Sequence, residues 1–382
     1  MKNTDRSYDL VVVTGEPFPL GMAATNRLLC YTTAIAKSKR VLVLTFSAPY
    51  NCPAEYGTID NVDFRYMHRK CNRPSKIGRL ILLFFRYIKL LFLLLFRYKY
   101  TSVVFLSRKL TFASFIKPII SLKKAKFYRE ISESPDDIKN KYKRSLALNA
   151  NRLFDGFIVI SQGIETTIKD VVGPQKKFFH LPILVQMSRF DDYNTISKKN
   201  LAFYCSGGNA ERDGLLDILN GFLLYKEQEN NDIILEIATS FNPSNQYHKN
   251  AMDIISAHPE AFSYLGCLPT TEIPQKLMEA SVLLLTPHKN YVTKGFPTKL
   301  GEYLASGTSI ICSSIDDLRE QIPDYVVKFV SPNAPSEICN ALIELLPFSE
   351  RTRKLGQDGR VWVQQNYTMD NYTYALIDFL QI

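Results

Sequence analysis

The residues most suited to chemistry lie in one segment near the carboxyl end, YVTKGFPTKLGEYLASG. Glycine, proline and threonine stand just ahead of a predicted helix there, at Gly295, Pro297 and Thr298. The first amides of a helix have no intrahelical acceptor and carry a positive partial charge, so they bind anions, above all phosphate. The segment therefore predicts a phosphate site at the start of a helix.

Three charged side chains accompany this loop. Glu302 lies one helical turn beyond it, where its carboxylate could accept both hydroxyls of a ribose. Lys294 and Lys299 add positive charge around the same loop. Taken alone, the segment is also compatible with an ordinary strand–helix turn that carries incidental lysines.

The elements that must position these residues follow from the hydrophobic pattern. Short apolar strands alternate with helices in two successive runs, which is typical of parallel α/β domains. The first run has predicted strands at 8–14, 40–46, 62–66, 102–106, 125–128 and 156–160. The second has them at 202–205, 233–238, 262–265, 282–286, 309–311 and 326–330. We expect two Rossmann-like domains, 1–186 and 200–361, facing a cleft and joined by a polar linker at 187–199.

Several stretches resemble the family-4 retaining glycosyltransferases of the GT-B fold. GFPTKLGEYLASG resembles their sugar-nucleotide signature, in the form common among polysaccharide-assembly members. FYCSGGNAERDGLLDILNGF resembles their glycine turn followed by Lys-Asp-Gly and a helix. PLGMAATNR and FYREISESPDD match the first domain more weakly. NYTMDNYTYALIDFL resembles the last helix, 362–382, which in this fold crosses back to the first domain.

The resemblance implies a transferase that moves a sugar from a nucleotide-sugar donor to a glycan acceptor linked to a lipid such as a polyprenyl diphosphate. It implies retention of configuration and a role in cell-surface polysaccharide synthesis. It implies no cofactor and no metal, since the donor is a substrate and basic residues face its diphosphate. A sugar-nucleotide epimerase of similar fold and a non-catalytic sugar-nucleotide-binding assembly protein are the alternatives.

Carried over residue by residue, the resemblance places Glu302 on the ribose. Arg212 stands for the lysine that pairs with the diphosphate, and Lys299 joins it. Gly21 approaches the donor from the first domain. Arg212, Lys299 and Glu302 are the candidate catalytic residues. The candidate donor-binding residues are Gly21, Gly207, Gly208, Arg212, Lys294, Gly295, Phe296, Pro297, Thr298, Lys299 and Glu302.

This chain departs from the family pattern at three places. Lys294 replaces the first glutamate of the repeat, which contacts the transferred sugar. Gly207 and Gly208 stand where an arginine often follows the glycine turn. The stretch 130–133 has no counterpart of the mid-domain histidine that many members place against the sugar. The donor sugar therefore stays open.

Charge is divided unevenly along the chain. Residues 1–185 carry 31 Lys and Arg against 13 Asp and Glu, a net +18, whereas residues 186–382 carry 16 against 24, a net −8. A uniformly basic nucleic-acid binder would not look like this, and no nucleic-acid motif is present. The basic half is expected to meet an anionic membrane surface, a lipid phosphate or a nucleotide, unless the division is chance.

The stretch Ile77–Tyr100 is apolar and basic. On a helical wheel Arg79, Arg86 and Arg97 lie within about 20° of one another, with Lys89 beside them. A broad apolar face with a basic stripe is typical of an interfacial membrane helix, and an ordinary packed helix with one solvated stripe is the alternative. The longest charge-free run is far shorter than a membrane span requires.

Cysteine use and the amino-terminal sequence bear on localisation. The seven cysteines are scattered singly, without metal-ligand spacing, which favours a reducing compartment. No signal peptide is recognised at the start. We expect a cytoplasmic protein that is peripheral on the inner face of the cytoplasmic membrane.

Overall fold

The computed structural model describes residues 7–21, 23–47, 55–67, 76–107, 110–135, 138, 140–191, 196–288, 297–315 and 318–382. The chain divides into two compact units, Met1–Leu184 with Met369–Ile382, and Val185–Thr368. The second unit thus begins two residues before our predicted linker. The helix that contains residue 362 also belongs to the second unit, so the return to the first unit starts at Met369 rather than at 362.

The first unit is an eight-stranded sheet of order β3-β4-β2-β1-β5-β6-β7-β8, parallel except for the antiparallel pair β3 and β4. Its strands are β1 (Ser7–Pro17), β2 (Val41–Ser47), β3 (Tyr56–Ile59), β4 (Val62–Tyr66), β5 (Lys99–Leu106), β6 (Lys126–Ile131), β7 (Gly156–Val159) and β8 (Lys177–His180). Its helices are α1 (Ala23–Ala36), α2 (Lys76–Phe92), α3 (Thr111–Leu122), α4 (Lys141–Asn149), α5 (Gln162–Val172) and, from the carboxyl end, α13 (Thr373–Leu380).

The second unit is a six-stranded, fully parallel sheet of order β11-β10-β9-β12-β13-β14. Its strands are β9 (Ala202–Cys205), β10 (Leu235–Ala238), β11 (Phe262–Gly266), β12 (Val282–Leu285), β13 (Ser309–Ser313) and β14 (Lys328–Val330). Its helices are α6 (Leu215–Gln228), α7 (Gln246–Ala257), α8 (Ile273–Glu279), α9 (Lys299–Ala305), α10 (Leu318–Gln321), α11 (Pro335–Leu345) and α12 (Glu350–Asn366). The strand order reverses between β9 and β12, and in open α/β sheets ligands bind beyond the carboxyl ends of the strands at such a point.

The strand predictions agree closely with the structure. All twelve predicted strands overlap an observed one, and β4 and β9 match to the residue. Two strands, β3 and β8, were not predicted. Both are four residues long and at the edges of the first sheet, where partial exposure removes the continuous apolar run that identifies a buried strand.

The return segment completes the core of the first unit. Leu376 and Leu380 of α13 are fully buried there. The Ser102 hydroxyl donates to the Leu380 carbonyl at 2.6 Å, and the Tyr128 hydroxyl donates to the Phe379 carbonyl at 2.9 Å. Side chains of β5 and β6 therefore fix α13 in place.

Helix α2 is oriented differently from our expectation. Lys89 forms an ion pair with Glu55, which itself lies just before β3, and the Arg86 guanidinium donates to the Phe46 carbonyl. These two basic residues thus face the body of the first unit, and the apolar side of the helix faces outward. The side chain of Arg79 lies outside the described part. Among the described residues, no helix is long and apolar enough to cross a membrane.

Candidate functional site

The loop after β9 and the end of β12 meet at the point where the strand order reverses. The His288 amide donates to the Arg212 carbonyl at 3.0 Å, which joins the two segments. Gly214 immediately precedes α6 with a φ of +74°, and a Cβ there would lie 1.9 Å from the Thr286 carbonyl oxygen. A glycine is required at this position because both the backbone conformation and the close approach exclude a side chain.

A buried carboxylate, Asp213, gathers the two cations predicted to face a diphosphate. Lys299 forms an ion pair with it, and the Arg212 Nε lies 3.2 Å from its Oδ1. The Ser206 hydroxyl donates to its Oδ2 at 2.9 Å. Burial acts to raise the pKa of Asp213, but the charges of Lys299 and Arg212 outweigh it and hold that pKa below its usual value. Two cations around one anion leave the cluster with a net positive charge.

Glu302 is engaged by an arginine that sequence reasoning did not identify. Arg189, in the short 3-10 turn Met187–Phe190, forms an ion pair with the Glu302 carboxylate and donates to the Thr270 carbonyl at 3.2 Å. Our sequence analysis assigned this segment to a polar linker, 187–199, because it has no strong strand or helix signal. No local motif marks Arg189, because its partner lies more than a hundred residues away.

Helix α9 is attached to the strand at the centre of the sheet. The buried Tyr303 hydroxyl accepts a hydrogen bond from the Cys205 amide at 3.1 Å and lies 3.3 Å from the Cys205 carbonyl oxygen. This contact holds the helix that carries Lys299 and Glu302 against the carboxyl end of β9. It fixes both side chains relative to Arg212.

The predicted phosphate loop is described only at its end. Lys294, Gly295 and Phe296 lie outside the described residues. Thr298 immediately precedes α9, and the Leu300 amide already donates to the Pro297 carbonyl at 2.9 Å. The positive charge that the described residues show at this point is that of the Arg212 and Lys299 side chains.

The three other predicted glycines have different surroundings. Gly208 has a φ of +91°, and a Cβ there would lie 3.0 Å from the Ser240 hydroxyl. Gly207, beside it, is exposed. In the first unit, a Cβ on Gly21 would lie 2.1 Å from the Thr25 hydroxyl oxygen. Packing within the first unit therefore accounts for Gly21, and its approach to a donor stays a prediction.

Two further acidic residues, one in the stretch 130–133 and one on α6, have partners in the structure. Glu130 is buried, forms an ion pair with Arg27 at 2.7 Å and accepts from the Tyr31 hydroxyl at 2.8 Å, which assigns it to the core of the first unit. Asp217 lies 2.9 Å from the His288 imidazole. Within the described ranges no cluster of three His, Cys, Asp or Glu could hold a metal ion.

Comparison with known proteins gives one family match. Residues 198–347 match the family described as Glycosyl transferases group 1. No match is found among curated proteins.

Solved structures resemble the chain over nearly its whole length. HepE of Anabaena in complex with UDP-glucose superposes with a TM-score of 0.71 at 12% identity, covering 98% of this chain and 99% of that one. Sucrose-phosphate synthase of Thermosynechococcus elongatus gives 0.73 at 13% identity, covering 98% of both chains. An α,α-trehalose-phosphate synthase (UDP-forming) of Burkholderia vietnamiensis has a TM-score of 0.69 at 12% identity, covering 98% of this chain and 99% of that one. The predicted GT-B class, with two parallel-sheet domains, is confirmed, and the family match over the second unit indicates a glycosyltransferase.

Proposed function

We propose that this glycosyltransferase binds a nucleotide sugar in its second unit and transfers the sugar to a lipid-linked glycan acceptor held by its first. We propose further that it belongs to the retaining, family-4 type and acts in cell-surface polysaccharide synthesis. The family match supports the transfer chemistry. The UDP-glucose complex of HepE supports a nucleotide-sugar donor.

The observation that carries the proposal is the pair of cations around Asp213. Breaking a sugar–phosphate bond builds negative charge on the departing diphosphate, and preorganised positive groups lower the barrier by stabilising that charge. Asp213 holds Lys299 and Arg212 close together before any ligand arrives. The side chain of Arg212 is 44% exposed, so it can reach a phosphate while it keeps its contact with Asp213.

The nucleoside end of the donor would lie along α9. Glu302 lies one turn after Thr298, and a carboxylate has enough acceptor positions to keep Arg189 on one oxygen and bind ribose hydroxyls. Arg189 thereby orients the carboxylate. In this arrangement the carboxylate of Glu302 would hold the ribose, and Arg212 and Lys299 would face the diphosphate.

Donor binding is tested by thermal melting of the purified protein with UDP-, GDP- and ADP-sugars. We expect one nucleotide class to raise the melting temperature, and donor hydrolysis or acceptor glycosylation to follow with that donor. Stabilisation by none of them would contradict the proposal. Stabilisation without any turnover would instead favour the non-catalytic binding protein, which the lysine at position 294 keeps as the second candidate.

Substitution of the two cations tests their role. Arg212→Ala and Lys299→Ala should each lower turnover, by about a hundredfold or more for a group that stabilises the leaving charge. The Arg212 effect should be larger, because Lys299 is more buried and closely paired with Asp213. Lys354→Ala, on an exposed side chain of α12, is the matched control. Wild-type rates in either variant would remove that residue from the mechanism.

A location on the inner face of the cytoplasmic membrane accompanies a lipid-linked acceptor. The net charge of +18 over residues 1–185 supports it, because basic residues near an anionic leaflet each contribute about 1 kcal/mol.

A further inference from the structure

The first unit exposes a concentrated apolar surface. Sixteen large apolar or aromatic side chains are exposed among the described residues, and half of them lie between positions 81 and 122. Phe84 and Phe85 are each 62% exposed, and Phe96 is 70% exposed. We call this surface the apolar face. It comprises Ile81, Phe84, Phe85, Ile88, Phe92, Phe96, Phe115 and Leu122.

Helical geometry places these side chains together. In α2 they recur at spacings of three, four and seven residues, and the π-helical turn Leu93–Arg97 extends the row to Phe96. Leu90, Leu93 and Leu94 point to the opposite side and are buried. The helix thus has two apolar sides, of which the protein core covers only one.

Helix α3 continues the apolar face. The rings of Tyr87 and Phe112 stack at a centroid distance of 3.4 Å and join α2 to α3. Ile116 and Ile120 of α3 are buried, whereas Phe115 and Leu122 are exposed. Monomeric soluble proteins rarely expose a contiguous apolar patch of this kind, so it marks a contact with another apolar phase or molecule.

The charge around the apolar face distinguishes between possible occupants. From residue 64 to residue 129 the chain has 17 Lys and Arg and no Asp or Glu. Three of these basic residues do not contribute to the surface around the apolar face, since Arg86 and Lys89 face the body of the unit and Arg129 is buried. Helix α4, which continues into a turn that packs on α3, exposes Lys141 and Lys143 and buries no residue. Two copies joined through this surface would oppose like charges, whereas anionic lipid headgroups complement it.

We propose that the apolar face inserts into the boundary between headgroups and acyl chains of an anionic membrane, with basic residues around it on the headgroups. The apolar side of α2, rather than its basic stripe, makes the contact. The inference deepens the membrane location and lipid-linked acceptor of the proposed function, on which its biological purpose rests. The apolar face itself lies wholly within the first unit.

Insertion and purely electrostatic attachment differ in their response to salt. Screening shortens the Debye length from about 10 Å at 0.1 M to about 3 Å at 1 M, which weakens the lysine and arginine contribution. Burial of phenylalanine and isoleucine in the interface is not screened. Vesicle binding should therefore weaken with salt but persist at a measurable level at high salt.

The test is co-sedimentation of the full chain with vesicles of equimolar phosphatidylcholine and phosphatidylglycerol, and with vesicles of phosphatidylcholine alone. The double variant Phe84→Ser/Phe85→Ser should bind anionic vesicles at least about tenfold more weakly than the wild type. Tyr325→Ser/Val361→Ser removes two side chains of similar exposure, 61% and 53%, from the second unit and should bind like the wild type.

A second measurement reports depth. Trp362 is the single tryptophan, so Phe85→Trp in a Trp362→Phe background places the only indole on the apolar face. Lipids brominated on the acyl chain near the headgroup should quench its fluorescence, and quenching should fall for bromines placed deeper.

Three results would overturn the insertion proposal: equal binding by Phe84→Ser/Phe85→Ser and the wild type, no quenching, or a dimer in solution that this variant abolishes. The last result would assign the apolar face to a second copy. Nucleotide-sugar binding by the same preparations separates the outcomes, because the second unit is unaltered in the double variant. Loss of vesicle binding with retained donor binding supports insertion, and absence of donor binding in the wild type contradicts the proposed function instead.

Discussion

At the scale of single residues, one buried carboxylate organises the site. Asp213 holds Arg212, Lys299 and the Ser206 hydroxyl, although its side chain has only 5% of its surface exposed. An unpaired anion at that depth would be strongly unfavourable, so the two cations stabilise Asp213 as much as Asp213 positions them.

Asp213→Asn should make the stability of the protein less dependent on pH. A carboxyl whose pKa is lower in the folded state contributes stability above its unfolded pKa, near 3.8, and loses it as the pH falls through the folded value. We expect the variant to be less stable by about 1–3 kcal/mol at neutral pH, because Arg212 and Lys299 can still reach water.

Thermal melting from neutral pH to below 3.8 checks this. The difference in melting temperature between the wild type and Asp213→Asn should stay constant at higher pH and become smaller below pH 3.8. If that difference keeps its full size at the lowest pH, the ion pairs of Asp213 are not its cause.

Glu302→Ala should weaken nucleotide-sugar binding and leave the fold intact. Loss of hydrogen bonds to a charged acceptor corresponds to about 1.5–3 kcal/mol, or roughly a 10- to 150-fold rise in the dissociation constant. Calorimetry with the best donor measures it, with Glu320→Ala, an exposed glutamate of α10, as the control. Unchanged donor affinity in Glu302→Ala would remove this residue from the ribose site.

At the scale of elements, the site depends on how closely the β9–α6 loop approaches the end of β12. Gly214→Ala should destabilise the protein by at least about 2 kcal/mol, since the left-handed backbone alone costs about 1–2 kcal/mol and the new Cβ meets the Thr286 carbonyl. Gly266→Ala is the matched control. Its φ of +70° is similar, but nothing lies within 4 Å of the added Cβ.

Chemical denaturation of the two variants separates steric clash from backbone strain. The amount by which Gly214→Ala lowers the free energy of unfolding beyond Gly266→Ala measures the clash between the loop and β12. Equal decreases in the two variants would mean that the loop can move away from β12 without further cost.

At the scale of the whole molecule, the first unit is built from both ends of the chain. Leu376→Ala should destabilise that unit by about 2–5 kcal/mol, because a fully buried leucine leaves a cavity. Hydrogen exchange should speed up in β5 and β6, whose side chains bind α13, and stay unchanged in the second unit.

Leu342→Ala is the reciprocal control, because Leu342 is equally buried in the core of the second unit. It should speed exchange in α6, β13 and β14, against which its helix α11 packs. Faster exchange in both units from either substitution would show that the two unfold together.

Local patterns were sufficient for most of the fold. Runs such as Leu10–Val13 are apolar and β-branched and become completely buried, so their assignment as strands needed no tertiary information. The alternation of such strands with helices determined the parallel α/β class. The motif GFPTKLGEYLASG drew attention to Lys299 and Glu302 through its resemblance to a family signature, and their roles at the donor stay predictions.

The partners of these residues depended on the tertiary structure. Asp213 stands beside Arg212 in the sequence, but that it would also bind Lys299, eighty-six positions away, follows only from the packing of α9 against β9. Arg189 meets Glu302 for the same reason. The orientation of α2 also depended on the tertiary structure. Both of its sides are apolar, and the buried side is the one whose Lys89 and Arg86 meet the Glu55 carboxylate and the Phe46 carbonyl. Periodicity shows which residues share a face, but the side that is buried depends on what the rest of the chain offers it.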